Sequence, residues 1–258
     1  MTDFNPQTAR IGIIILAGGR GTRMQAGDVP KVLVPLYGKP LISHLLHSIE
    51  SVHADSNPII VVGYKGDEVK AALGPSYQYA VQEPQLGTGH AVMQARTIAD
   101  AKYDHVVVLY GDHPHVPASV INELIDTHLK NQATLTLMTA EFPDFEDWRA
   151  GVYSYGRVVR DVNGNIARIV EKKDATPEEL EIKELNPAYF CFRADWLWEN
   201  LSKLENHNAQ KEYYLTDMLE MAIQEGEKIA SFKGDPMAAL GVNTKEELER
   251  MEKLLAAE

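Results

Sequence analysis

Apolar residues along this chain gather in short runs of strand length, separated by stretches whose apolar positions recur every three or four residues. The clearest runs occupy residues 11–16, 58–63, 105–110 and 133–139 and predict buried strands. Between and after them, residues 41–51, 67–73, 90–99 and 118–129 carry helical periodicity. Strand and helix alternating in this order predict an α/β fold of the Rossmann-like kind, a mostly parallel sheet flanked by helices, with ligands beyond the carboxyl ends of the strands. Residues in loops that follow strands therefore matter most for function.

The pattern changes past residue 150. Residues 157–161 and 166–171 flank Val162-Asn163-Gly164-Asn165, a hairpin signal that predicts a smaller antiparallel lobe. Helical patterns then cover 194–204, 215–225 and 244–254. With no linker or repeat, the expectation is one domain over residues 1–258, with lobes of about 1–150 and about 151–258. Hexapeptide repeats are absent, so no left-handed β-helix is expected from these residues.

A length of 258 residues with 45% hydrophobic side chains supplies a substantial core. The formal charge of −12 sets an acidic background against which a nucleic-acid groove would have to work, so no nucleic-acid partner is expected. No apolar run reaches the roughly 18 residues of a membrane span and residues 1–10 do not read as a signal peptide, so a soluble, cytoplasmic protein without a membrane partner is expected. The one cysteine, Cys191, lies in the apolar run 189–192 and reads as a buried small hydrophobe. Nothing in the sequence speaks to oligomeric state.

The first strand leads into Leu16-Ala17-Gly18-Gly19-Arg20-Gly21-Thr22-Arg23-Met24, and Pro30-Lys31 follows. Glycines let backbone N–H groups approach anionic oxygens closely, a composition suited to phosphate. The loop lacks the Gly-Lys-Ser/Thr of a Walker A motif, and Met24 stands where the dinucleotide fingerprint has its third glycine. What remains is a long loop bearing two cations, Arg23 and Lys31, which is also consistent with a Gly-rich turn carrying solvated basic residues.

This segment resembles the signature of the sugar-nucleotide pyrophosphorylases. A second segment, Gln82-Glu83-Pro84-Gln85-Leu86-Gly87-Thr88-Gly89-His90-Ala91, is similar to the uridine-binding stretch of the uridylyltransferase domain in the bacterial bifunctional N-acetylglucosamine-1-phosphate enzymes. Further matches follow in the family's order: Tyr110-Gly111-Asp112, Tyr155-Gly156-Arg157, the run 169–176, Glu212 to Asp217, and Gly241-Val242-Asn243. The resemblance implies Mg²⁺-dependent transfer of a nucleotidyl group from a nucleoside triphosphate, UTP, to a sugar 1-phosphate, N-acetylglucosamine 1-phosphate, with release of pyrophosphate. It implies catalytic roles for Arg23 and Lys31, and nucleotide contacts from Leu16, Ala17, Gly18, Gly19, Gly21, Gln82, Gly87 and Thr88. Sugar contacts are implied for Tyr110, Gly111, Gly156, Glu171, Asn186, Tyr214 and Thr216, and Mg²⁺ ligation for Asp112 and Asn243.

The residue types suit these roles. Bringing two polyanions together calls for cations and a metal, a forked guanidinium grips phosphates, and an ammonium serves as a point charge. Asp112 follows a strand at the ligand end of the sheet, where a turn residue is also common. Asn243 precedes Thr244, and either one is a candidate helix N-cap. An amide such as Gln82 complements the donor and acceptor edge of uracil. Two places depart from the family pattern. Pro187-Ala188 stand where Thr-Gly is usual after Asn186, which bears on sugar choice, and His113-Pro114-His115 replace apolar residues after Asp112. The histidines read as solvated or packing groups, since no second His/Cys cluster completes a transition-metal site. A pyrophosphorylase for another sugar or nucleotide, such as glucose 1-phosphate or dTTP, is the nearest alternative. A non-catalytic nucleotide-sugar sensor or scaffold is the alternative from a different class.

Overall fold

The computed structural model describes residues 8–24, 28–55 and 57–256. The first half runs β1 (Ile11–Ala17), β2 (Pro35–Leu36), β3 (Lys39–Pro40), α1 (Leu41–Ile49), β4 (Ile59–Val62), α2 (Gly66–Leu73), β5 (Gln78–Val81), α3 (Thr88–Gln94), α4 (Arg96–Ala99), β6 (His105–Tyr110), α5 (Ala118–Asn131) and β7 (Leu135–Glu141). The second half adds β8 (Gly156–Arg160), β9 (Ile166–Val170), α6 (Pro177–Leu180), β10 (Glu184–Asn186), β11 (Phe190–Arg193), α7 (Ala194–Asn200), α8 (Asp217–Gln224), β12 (Ile229–Lys233) and α9 (Lys245–Leu255).

Ten of the described strands form one sheet in the order β5-β4-β1-β6-β11-β7-β10-β8-β9, with β12 paired to β7. The strands β4, β1 and β6 are mutually parallel, as the alternation of strands and helices predicts, and β5, a half-exposed strand that no apolar run marks, extends them in parallel at the edge. β11 returns antiparallel between β6 and β7. The predicted hairpin forms as β8 and β9, with Gly164 at φ 84° in its turn. It does not stand apart as its own sheet, because β10 pairs with β8 on one side and β7 on the other. A separate two-stranded antiparallel sheet, β2 and β3, lies in the loop after β1.

The near-continuous apolar character of β1 follows from burial on both faces. Ile11, Ile13 and Ile15 enter one core cluster with residues of α1, α5 and α9, and Ile14 and Leu16 enter the other with residues of α3, α7 and α8. Cys191 is buried in the first of them. The single helix expected over 90–99 is instead α3 and α4, and α3 begins two residues earlier, at Thr88. Gly87 sets that start, since its φ of 108° takes the chain into the helix from a conformation that L side chains rarely adopt. At α9, Thr244 is the N-cap, in a capping box with Glu247. That leaves the Asn243 side chain free for other partners.

Candidate active site

Strand register brings the loops of the site together. Leu16 pairs with Tyr110 and Ala17 with Val62, so β1, β4 and β6 end side by side and release Gly18, Gly63 and Gly111-Asp112 at one edge of the sheet. Leu16 and Ala17 are themselves buried strand residues. The Gly18 carbonyl accepts from the Tyr64 backbone N–H at 3.1 Å and from the Gln85 amide. Gly19 is exposed, whereas Gly21 has φ 67° and lies so close to Lys31 that a Cβ there would fall 2.8 Å from the Lys31 Cβ. The loop and Lys31 thus fold against each other, and Met24 anchors the turn that carries Arg23. Residues 25–27 of this loop lie outside the described residues.

Lys31, Asp112 and Asn243 are far apart in sequence and meet here. The Lys31 ammonium pairs with Asp112 Oδ2 and donates to Asn243 Oδ1 at 2.7 Å, and Arg23 Nη2 lies 3.5 Å from the same asparagine oxygen. Burial pushes the Asp112 carboxyl up, but the Lys31 ammonium and the other groups around it outweigh this and hold it below the usual carboxylate range. Asn243 is fixed from behind. Its N–H donates to Glu247 at 2.5 Å, while the preceding Val242 N–H donates to the Asp112 carbonyl at 2.9 Å. Two hard oxygens from separate segments therefore converge on one positive charge, which is the donor chemistry that a small divalent cation takes from protein, its other ligands being phosphate and water.

From this cluster a cleft of about 760 Å³ extends to Gly156, Glu171, Asn186, Tyr214 and Thr216, with Arg23, Thr88, Tyr110, Asp112 and Asn243 among its other lining residues. Each sugar-side wall has a reason for its position. Gly156 pairs with Asn186 across β8 and β10, and a Cβ on Gly156 would fall 2.9 Å from Ile169 and 3.4 Å from Glu171 Oε1. Glycine thus keeps the space beside the glutamate open. Glu171 accepts from Thr216 Oγ1 at 3.2 Å, and burial raises its pKa against that hydrogen bond. The Tyr214 hydroxyl accepts from Gln210 Nε2 at 2.7 Å, and burial pushes its pKa up to about 12. Gly111 is buried behind the cleft against Val32 and Ile42.

The segment 82–90 is locked to the segment 213–215. Tyr213 N donates to the Leu86 carbonyl and Gly89 N to the Tyr213 carbonyl, both at 2.8 Å, and Leu215 N donates to Thr88 Oγ1 at 2.9 Å. A side chain on Gly87 would strike the Tyr213 backbone. Gln82 is buried rather than cleft-lining. Its Nε2 donates to the Gly87 carbonyl at 2.8 Å and lies 3.2 Å from His90 Nδ1, while a Cβ on Gly18 would fall 3.2 Å from its Oε1.

The sequence pattern passes over several residues of the site. Tyr155 donates to the Ala239 carbonyl at 2.9 Å and accepts from Gly241 N at 2.7 Å, tying the cleft wall to the segment that carries Asn243. Arg157 is fully buried, with its guanidinium on the Tyr153 and Tyr155 carbonyls and over the rings of Phe145 and Tyr153. Lys172, Lys173 and Gln210 line the cleft. The first four belong to motifs that mark the family, whereas Gln210 has no signal in sequence. Ala188, in the expected place of a glycine, adopts φ 68° and donates its N–H to Asn186 Oδ1 at 2.9 Å. His113 is buried, as a packing histidine is expected to be, among the rings of Tyr110, Tyr155 and Tyr189.

The MobA-like NTP transferase domain model matches residues 13–221. The chain is 40% identical over 240 residues to the bifunctional protein GlmU of Desulfotalea psychrophila, covering 92% of this chain and 68% of that one. It is 42% identical over 246 residues to GlmU of Burkholderia orbicola, covering 95% of this chain and 52% of that relative, and so spans about half the length of such relatives. In fold it resembles a putative glucose-1-phosphate thymidylyltransferase from Bacillus anthracis, with TM-score 0.75, 20% identity and coverage of 95% and 94% of the two chains. A UDP-glucose pyrophosphorylase solved with UDP-glucose is equally similar, with TM-score 0.75, 18% identity and coverage of 96% and 99%. The chain belongs to the family of MobA-like NTP transferase domains and is a nucleotidyltransferase of the sugar-1-phosphate pyrophosphorylase type.

Proposed function

We propose that the chain transfers the uridylyl group of UTP to N-acetylglucosamine 1-phosphate, giving UDP-N-acetylglucosamine and pyrophosphate, with Mg²⁺ as cofactor. The observation that carries this reading is the meeting of Lys31, Asp112 and Asn243 at the head of a cleft whose far wall is built from Gly156, Glu171 and Asn186. Relatives at about 40% identity that are named GlmU favour this pair of substrates. Residues 1–258 act as one catalytic unit, with the nucleotide held by the β1 loop and the 82–90 segment and the sugar by residues mostly after 150.

A phosphate oxygen of the sugar 1-phosphate attacks the α-phosphorus of UTP, the new P–O bond forms, and the bond to the pyrophosphate oxygen breaks in line. The attacking group is already an anion, so no general base is needed. The chain's work is positioning and charge. Arg23 grips the triphosphate, and Lys31 sets an ammonium against the reacting phosphate, where developing charge is stabilised without reorganisation. Asp112 and Asn243 would hold the divalent cation, which supplies Lewis-acid neutralisation of phosphate oxygens when bound. The 87–88 backbone orients the base, and Gln82 holds that backbone in place through its bond to the Gly87 carbonyl. The Glu171 carboxylate, left accessible by the absence of a side chain at Gly156, accepts hydrogen bonds from sugar hydroxyls, and Asn186 and Tyr214 complete the sugar's surroundings.

Pyrophosphate release should need Mg²⁺ and should fall at least about 10²-fold in Asp112→Ala and Asn243→Ala. Full turnover in excess chelator would sink the cation assignment. Of the alternatives, glucose 1-phosphate as acceptor is favoured by one observation, the altered Pro187-Ala188 floor of the cleft.

A further inference from the structure

Behind Asp112 sits a histidine whose hydrogen bonds fix which nitrogen carries the proton. The Tyr189 hydroxyl donates to the Ala238 carbonyl at 2.8 Å, so at its 2.5 Å contact with His113 Nδ1 the tyrosine oxygen is the acceptor and Nδ1 bears the hydrogen. The other ring nitrogen, Nε2, then presents a lone pair. It lies 3.8 Å from Asp112 Oδ1, too far for a hydrogen bond. The ring cannot turn away from this position, because the rings of Tyr110, Tyr155 and Tyr189 surround it and Gly241 packs so closely on Nε2 that a Cβ there would fall 2.5 Å from it. His113 nonetheless lines the same cleft as Asp112 and Asn243.

We infer that His113 Nε2 is a nitrogen ligand of the divalent cation held by Asp112 and Asn243, so that the site prefers a borderline cation such as Mn²⁺ or Co²⁺ beyond what an all-oxygen site would. Metal–oxygen and metal–imidazole bonds are each about 2.1 Å, so an ion touching both atoms across the 3.8 Å separation would subtend about 130°, and a movement of the Asp112 carboxylate by under about 1 Å brings the pair to the roughly 3 Å spacing of neighbouring ligands. Imidazole suits transition metals, whereas Mg²⁺ takes oxygen ligands, and an Nδ1–H committed to an oxygen acceptor is the usual way a ligating histidine is oriented. The neighbouring oxygens supply the charge and the hard donors, and the Tyr189-Ala238 pair supplies the orientation. The inference rests on the proposed cation site.

The test uses Mn²⁺ as the probe, with the whole chain and a non-hydrolysable UTP analogue. Pulsed electron paramagnetic resonance should show ¹⁴N coupling from a directly bound imidazole, and that coupling should convert to the ¹⁵N pattern when histidine alone is labelled. The labelled, unmutated protein keeps the result independent of folding in any variant. His113→Leu should abolish the coupling while Mn²⁺ still binds, with affinity for Mn²⁺ reduced about tenfold or more and affinity for Mg²⁺ changed less. Mn²⁺ that binds in an Asp112-dependent way without histidine coupling overturns the inference and leaves the cation site standing. Mn²⁺ binding that is absent, or indifferent to Asp112→Ala, overturns both.

Discussion

Replacing Ala188 by glycine should stabilise this protein, although it removes a methyl group. Ala188 sits at φ 68°, in the left-handed region, between Asn186 at the end of β10 and the buried Tyr189. An L residue with a Cβ pays about 1 kcal/mol to stay there. Glycine removes that cost, while a more flexible unfolded chain and the lost contact of the half-buried methyl with the second core cluster together take back about half of the gain. The net expectation for Ala188→Gly is about 0.5 kcal/mol of added stability, or about 1–2 °C in Tm for a chain of this size. The Ala188 N–H bond to Asn186 Oδ1 at 2.9 Å is a backbone contact and survives the change. The sugar-side geometry should therefore hold, and KM for the sugar phosphate should stay within about threefold. Ala188→Val, with a branched Cβ in the same conformation, should lose at least about 1 kcal/mol. Urea titrations of the three proteins at pH 7.5, with sugar-phosphate kinetics alongside, decide it. A destabilised glycine variant, or a valine variant as stable as the parent, would refute the strain argument.

Lys31→Ala should lower kcat by roughly 10²-fold or more, and Arg23→Ala should do the same if its grip is made in the transition state; unchanged rapid-quench rates at both positions would show that the loop is only a turn. Loss of Lys31 should also release the Asp112 carboxyl toward its ordinary range, since the ammonium opposes the effect of burial there. His128 is fully buried against His105 and Thr136, and burial drives its pKa down to about 3. Its stabilising contribution is therefore complete above the unfolded value near 6.5 and is lost as pH falls from there toward 3, amounting to about 2 kcal/mol by pH 5. His128→Gln should flatten the decline in urea stability between pH 7.5 and 5.0 by about that amount, and an unaltered pH slope would contradict the neutral buried assignment.

Periodicity made the parallel half of the fold legible, because strands buried on both faces must be apolar almost throughout, as Ile11–Ala17 is. It was less informative for β12, where Ile229–Lys233 is only partly buried and its pattern is correspondingly mixed. It also missed β10, whose three residues are too few for any period to register. The site divides in the same way. Glycine positions such as Gly21, Gly87 and Gly156 stand out because the chain has to be close or left-handed there, and the family motifs bring Asp112 and Asn243 into view. What no local pattern contains is the meeting of residues 31, 112 and 243, which depends on the register of β1 against β6 and on the capping box that holds Asn243 at the head of α9. The lone-pair direction of His113 was equally invisible, since Tyr189 and Ala238 define it from 76 and more residues away.

Pyrophosphate release by the purified chain across UTP, dTTP, ATP, CTP and GTP with several sugar 1-phosphates tests the proposed pair of substrates directly. Release should be Mg²⁺-dependent and greatest with UTP and N-acetylglucosamine 1-phosphate, with kcat/KM about tenfold or more above that for glucose 1-phosphate, the margin expected from losing one good buried contact. Equal or better use of glucose 1-phosphate, or of dTTP, would contradict it.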